Sequence, residues 1–91
     1  MYHITSYSKK KAKELNVQIR PSINPKKKLD VYKDNNKIAS IGAIGYNDYP
    51  TYIIKNGLKY ANERRKLYKQ RHEKDRLVKN SNGFFSDNIL W

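Results

Sequence analysis

Apolar positions along this chain recur with periods that change every few residues, and each change marks an element. Tyr2-His3-Ile4-Thr5 reads as a short strand, and Ser6 to Ser8 offer hydroxyls able to cap the first N–H groups of a helix. Residues 9–15 carry Ala12 and Leu15 at i, i+3 and predict a short helix ending near Asn16. Val17-Gln18-Ile19-Arg20 alternates with period two, as a half-buried strand does, and Pro21 stops it. Residues 22–28, with Pro25 among them, read as a basic loop. Residues 29–33 and 37–41 flank Asp34-Asn35-Asn36, residue types that tolerate positive φ, so a β-hairpin is expected over about 29–41. Leu29, Val31, Ile38 or Ala39, and Ile41 are available for its buried face. Gly42 and Gly45 let the backbone turn out of the hairpin, and Asp48 and Pro50 suit the cap and first turn of a short helix over 50–55. Asn56-Gly57 ends that helix, and the longest element runs from Leu58 or Lys59 to about Arg76.

The close of the chain holds Phe84, Phe85, Ile89, Leu90 and Trp91, the one Trp, after the turn Asn80-Ser81-Asn82-Gly83. Leaving such side chains in water forgoes about 1.5–3 kcal/mol each. The tail is therefore expected to pack back onto the long helix or the sheet. The alternative is a docking peptide in which Phe84, Phe85 and Trp91 insert into another protein. Together these elements predict an α+β fold in a single domain over 1–91. It has a short N-terminal strand and helix, a small antiparallel sheet, a short and a long C-terminal helix, and an aromatic tail packed back.

Composition narrows the classes. The 91 residues include no Cys, which excludes disulfides, thiolate zinc sites and Cys nucleophiles. No apolar run approaches the ~18 residues of a membrane span, and the N-terminus lacks the apolar stretch of a signal peptide. A chain that is not secreted and has no membrane partner is the expectation. The Lys and Arg number 20 against 8 Asp and Glu, a net charge of +12. A field of that sign suits polyanions, nucleic acid first.

The cations cluster at Lys9, Lys10 and Lys11, at Lys26, Lys27 and Lys28, and most densely along the long helix. On that helix Arg64, Tyr68, Arg71 and Asp75 fall along one stripe, bordered by Arg65, His72 and Arg76. In a binding reading, Arg64, Arg65, Lys66, Lys69, Arg71 and Arg76 meet phosphates and Tyr68 packs against sugar or base. In a structural reading, Arg64, Tyr68 and Asp75 face inward and lock the helix to the tail. His72 and Asp75 at i, i+3 form a candidate general-base pair, but no nucleophile or third ligand accompanies them. Neither a metal nor a cofactor is expected, because no ligand spacing recurs and Gly42-Ala43-Ile44-Gly45 lacks a phosphate-loop pattern.

The residues from Ile41 to Ala43, then Gly45-Tyr46-Asn47-Asp48-Tyr49-Pro50-Thr51-Tyr52, form one distinctive piece. Others are Glu63-Arg64-Arg65 with Tyr68, Arg71-His72 with Lys74-Asp75-Arg76, and Gly83-Phe84-Phe85 closing on Leu90-Trp91. Their joint spacing over residues 38–91 resembles a family of small basic proteins of nucleocytoplasmic large DNA viruses, with remote relatives in tailed phages. Ile89 stands where that pattern more usually has Leu. The resemblance implies a viral origin, a virion or infected-cell location and an α+β fold, but no mechanism.

Three functions follow as expectations. The first is nucleic-acid binding, double-stranded DNA before RNA, indifferent to sequence and suited to packaging. The second is a virion structural or minor capsid component docked to virion proteins through the aromatic close. The third, ranked last, is a small nuclease.

Overall fold

Three of the four helices found among the described residues, 2–91, begin on a side-chain cap supplied by the sequence. In this computed structural model, Thr5 accepts from the Ser8 N–H at 3.1 Å to start α1 (Ser6–Glu14). Asp48 accepts from the Thr51 N–H at 3.1 Å to start α2 (Tyr49–Asn56), with Pro50 in its first turn. Ser81 accepts from the Phe84 N–H at 3.1 Å to start α4 (Asn82–Leu90). The remaining helix, α3 (Leu58–Arg71), follows Gly57 without a side-chain cap. Each cap satisfies a donor that the first helical turn leaves without a partner.

The sheet is antiparallel in the order β1-β2-β3, from β1 (Gln18–Pro21), β2 (Lys27–Lys33) and β3 (Asn36–Ala43). Asp34 and Asn35 both take positive φ, 52° and 67°, the pattern of a tight two-residue turn that matches strand twist. Val31 pairs with Ala39 while Tyr32 pairs with Lys37, so Ile38 is an extra residue in β3. That bulge decides which of two neighbours enters the core: Ala39 is 5% exposed and Ile38 41%.

Leu29, Val31, Ala39 and Ile41 share a core with Ala12 of α1, Ala61 and Tyr68 of α3, and Phe85, Ile89, Leu90 and Trp91 of the chain's close. Gly42, at φ 77°, brings β3 against that close. A Cβ there would lie 2.8 Å from Leu90 Cδ1 and 3.0 Å from the Lys28 stem.

The α+β architecture and the hairpin are as expected, and the tail does pack back. It does so as a helix, against β3 and α1, with Ser8 Oγ donating to the Ile89 carbonyl at 2.9 Å and Tyr7 Oη to a main-chain oxygen of Trp91 at 3.1 Å. Several boundaries differ. Residues 2–5 pair with no strand; Tyr2 and Ile4 pack against the core. Helix α1 starts at Ser6 because Thr5, not a serine, caps it. Pro21 is the last residue of β1, opposite Leu29, and β2 already begins at Lys27.

Helix α3 stops at Arg71 rather than near Arg76. Beyond it the chain turns so that Arg76 Nε points back at the Lys69 carbonyl (3.4 Å), one of the acceptors the helix end leaves free. Gly83 then sits so close to the Asp75 backbone, 2.9 Å from where its Cβ would be, that the turn and α4 are nested.

Candidate nucleic-acid interface

Tyr68 is where the two readings of the long helix separate. It projects from α3 into the core, 8% exposed, and stacks on Trp91 with ring centroids 4.4 Å apart and planes 8° from parallel. Its hydroxyl donates to Ser86 Oγ at 2.9 Å, and the His72 ring lies 4.5 Å away. Burial raises the Tyr68 hydroxyl above the ordinary phenol value. Tyr68 therefore locks helix to tail, which is the structural reading for this residue.

The cations flanking it divide. Lys69 Nζ donates to Asp87 at 2.6 Å, and Arg76 reaches Glu73 at 2.9 Å and Asp87 at 3.9 Å. Both were expected to face phosphates, and both instead turn toward α4, because Asp87 is nearly buried there and needs a counter-charge. Asp75 was the candidate for an inward position, yet its side chain is 72% exposed. Its Oδ2 stands 3.6 Å from His72 Nδ1, too far for a hydrogen bond.

Arg64 and Arg65 lie half-buried along aromatic faces. The Arg64 guanidinium carbon is 5.6 Å from the Tyr52 ring centroid, and that of Arg65 is 4.8 Å from Tyr49. Arg71 and Lys66 are exposed. The expected stripe of Arg64, Arg65, Lys69 and Arg71 is thus not a continuous water-facing track, because Lys69 is committed to Asp87 and Arg64 and Arg65 lie half-buried along tyrosines.

In the lysine clusters, Lys9, Lys10 and Lys26 are exposed and Lys11 and Lys27 half-exposed. Lys28 departs from the group. It is 6% exposed, and its Nζ meets Asp48 Oδ2 at 3.2 Å over the Tyr2 ring. Asp48 also accepts from Tyr2 Oη (2.6 Å) and Thr51 Oγ1 (2.6 Å). Burial alone would raise the Asp48 carboxyl, but the bonds from Thr51 and Tyr2 and the Lys28 charge outweigh it and hold it below the usual carboxylate range. Burial, then the Asp48 hydrogen bond and charge, raises the Tyr2 hydroxyl well above its ordinary value.

Phe85 (2% exposed) and Trp91 (9%) are used inside the chain and Phe84 is half-buried, so this trio is not presented as a docking peptide. Among the described residues no three His, Cys, Asp or Glu side chains gather as a metal site, and no helix is long and apolar enough to cross a membrane.

Two features join what remains. Lys11 Nζ lies 6.0 Å from the Tyr7 ring, Tyr7 5.5 Å from Tyr49, and Arg65 over the far partner, so a cation–Tyr–Tyr–cation seam bridges α1 and α3. Burial raises the Tyr7 hydroxyl and the Arg65 charge pulls it partly back, which is the electrostatic trace of that closeness. On another side of α3, a cavity of about 360 Å³ is bordered by Tyr46, Tyr52, Arg64, Arg71, His72 and Trp91, with the Lys28–Asp48 pair in its wall. Sequence reasoning passed over Tyr7, Tyr49 and Tyr52 as supports for arginine. The available signal was Tyr49 and Tyr52 at i, i+3 on a helix facing the arginine-rich one.

Compared with protein-family models, curated proteins and solved structures, the chain matches none.

Proposed function

We propose that this protein binds nucleic acid, double-stranded DNA in particular, with little regard to sequence. The observation that carries the reading is the imbalance of pairing. Of the 20 Lys and Arg side chains, Lys28, Lys69 and Arg76 have a carboxylate within ion-pair distance among the described residues, and the others do not. Charges left uncompensated by the fold must find their counter-ions elsewhere, and a polyphosphate releases bound cations when it supplies them. The seam from Lys11 to Arg65 supports the geometry, because it sets basic groups of two helices on rigid tyrosine platforms. Arg on such a platform keeps its donor fork available for a phosphate. Together with the resemblance to small basic proteins of large DNA viruses, this suits a role in offsetting phosphate repulsion as DNA is packed.

The test is binding of a random-sequence duplex, followed by fluorescence anisotropy as salt is raised. Tight association at low salt that weakens steeply, with equal affinity for unrelated sequences, is expected. The variant Lys11→Gln/Arg65→Gln binds more weakly while keeping its fold. Release below physiological ionic strength would sink the reading.

A further inference from the structure

Arg64 makes no ion pair, and its Nε is enclosed by protein without any hydrogen-bond acceptor. A buried donor left without an acceptor is destabilising, so such a group calls for an explanation. This one belongs to a guanidinium that borders the 360 Å³ cavity alongside Arg71, which is also free of any carboxylate partner. Aromatic rings supply much of the remaining border: Tyr52 beneath Arg64, the edge of the Trp91–Tyr68 stack, and Tyr46, which is 75% exposed. Asp48 in the wall does not repel an anion, since Lys28 neutralises it.

We propose that this cavity is a pocket for one unstacked nucleotide, its phosphate held by Arg64 and Arg71 and its base set against the tyrosines. The choice of a nucleotide over other organic phosphates rests on the nucleic-acid reading above. The pocket itself rests on the cavity, its two free guanidinium groups and its rings. Planar forks recognise phosphate oxygens in pairs, and aromatic faces accept any base. Tyr46, on a loop whose Gly45 has φ 96°, is placed to cover the base once it is seated. The ligand is either a free nucleoside monophosphate or a phosphorylated strand end, which share this chemistry.

Trp91 is the single Trp and lines the cavity, so its fluorescence reports occupancy directly. Titration of the full chain with AMP is expected to give a saturable change in emission. Adenosine and inorganic phosphate should each bind on the order of tenfold more weakly, about 1.4 kcal/mol. Arg64→Gln and the exposed Arg71→Gln should each weaken AMP by a similar factor, and Tyr46→Ala should weaken AMP without changing the response to inorganic phosphate. Lys10→Gln, on α1, should lower duplex affinity and leave AMP untouched.

A 5′-phosphorylated single strand binding more tightly than AMP identifies the strand end as the ligand, and the reverse order identifies the free nucleotide. Inorganic phosphate matching AMP, or no saturable change with AMP or strand while duplex is still retained, overturns the pocket and leaves the broader function standing. Saturable AMP binding without duplex retention does the opposite.

Discussion

At Asp48 one carboxylate joins three parts of the chain: it caps α2, accepts from Tyr2 and neutralises Lys28 of β2. Lys28 is thereby a structural cation in a triplet whose other members are exposed, Lys26, or half-exposed, Lys27. Removing it leaves a buried carboxylate short of its counter-charge, so Lys28→Met should lower stability by about 3 kcal/mol in urea unfolding. The pH dependence has a definite sign. Asp48 is held below the ~3.9 of a free Asp, and Asp30 also lies low: burial raises it, but Ser22, Ser40 and the Ile23 N–H donate to it and Lys37 adds its charge. Their contribution is complete above the unfolded value and is lost as pH falls through the folded values. Trp91 fluorescence should therefore show unfolding setting in below about pH 4. In Asp48→Asn, which still caps α2, the acid loss should be shallower than in the wild type, and parallel curves would contradict the assignment. None of this was legible in the triplet itself, because Lys28 is singled out by a partner 20 positions away.

At the scale of elements, α4 and its terminal Trp91 hold the sheet, α1 and α3 together. Ser8 and Tyr7 fasten α1 to main-chain oxygens of Ile89 and Trp91, and Tyr68 of α3 stacks on the indole. Trp91→Ala removes both the buried area and the stack, and a loss of about 3–5 kcal/mol is expected in thermal or urea unfolding. Trp91→Phe, which keeps a ring against Tyr68, should cost less than half of that. The hairpin was readable because turn chemistry is local, as at Asp34 and Asn35. The burial of the tail was readable because five large apolar groups in eight residues cannot stay wet. Its helical form was not, since the Ser81 cap sits in a turn where Ser81 also donates to the Asp75 and Val78 carbonyls and Gly83 lies against Asp75. The early end of α3 was hidden too: His72 to Arg76 is helix-compatible locally, whereas in the fold Arg76 turns back to the Lys69 carbonyl and toward Asp87. For the candidate site, the residue types were legible and their division was not. Helical spacing placed Arg64 and Tyr68 on one face, but the seam at Tyr7 and Tyr49 and the cavity at Tyr52 depend on elements distant in sequence.

Across the whole molecule, the fold absorbs very little of its own charge, and that excess makes a quantitative demand on any nucleic-acid complex. If binding proceeds by counter-ion release, the logarithm of the association constant falls linearly with the logarithm of salt, with a slope of about −0.9 for each phosphate neutralised on B-DNA. The surface divides the lysines into two classes that this slope can tell apart. An exposed cation that meets DNA, such as Lys10 or Lys66, should reduce the magnitude of the slope by about 0.9 when changed to Gln. Lys28, enclosed with Asp48, should leave the slope unchanged even where Lys28→Met lowers stability. Lys69 and Arg76, committed to Asp87, should behave like Lys28 because a phosphate would first have to displace a carboxylate. The measurement is a set of duplex titrations at several salt concentrations for the wild type and these five single variants. A slope that responds equally to Lys10→Gln and Lys28→Met would mean that the buried pair opens on binding, and that affinity is governed by total charge rather than by which cations the fold leaves free.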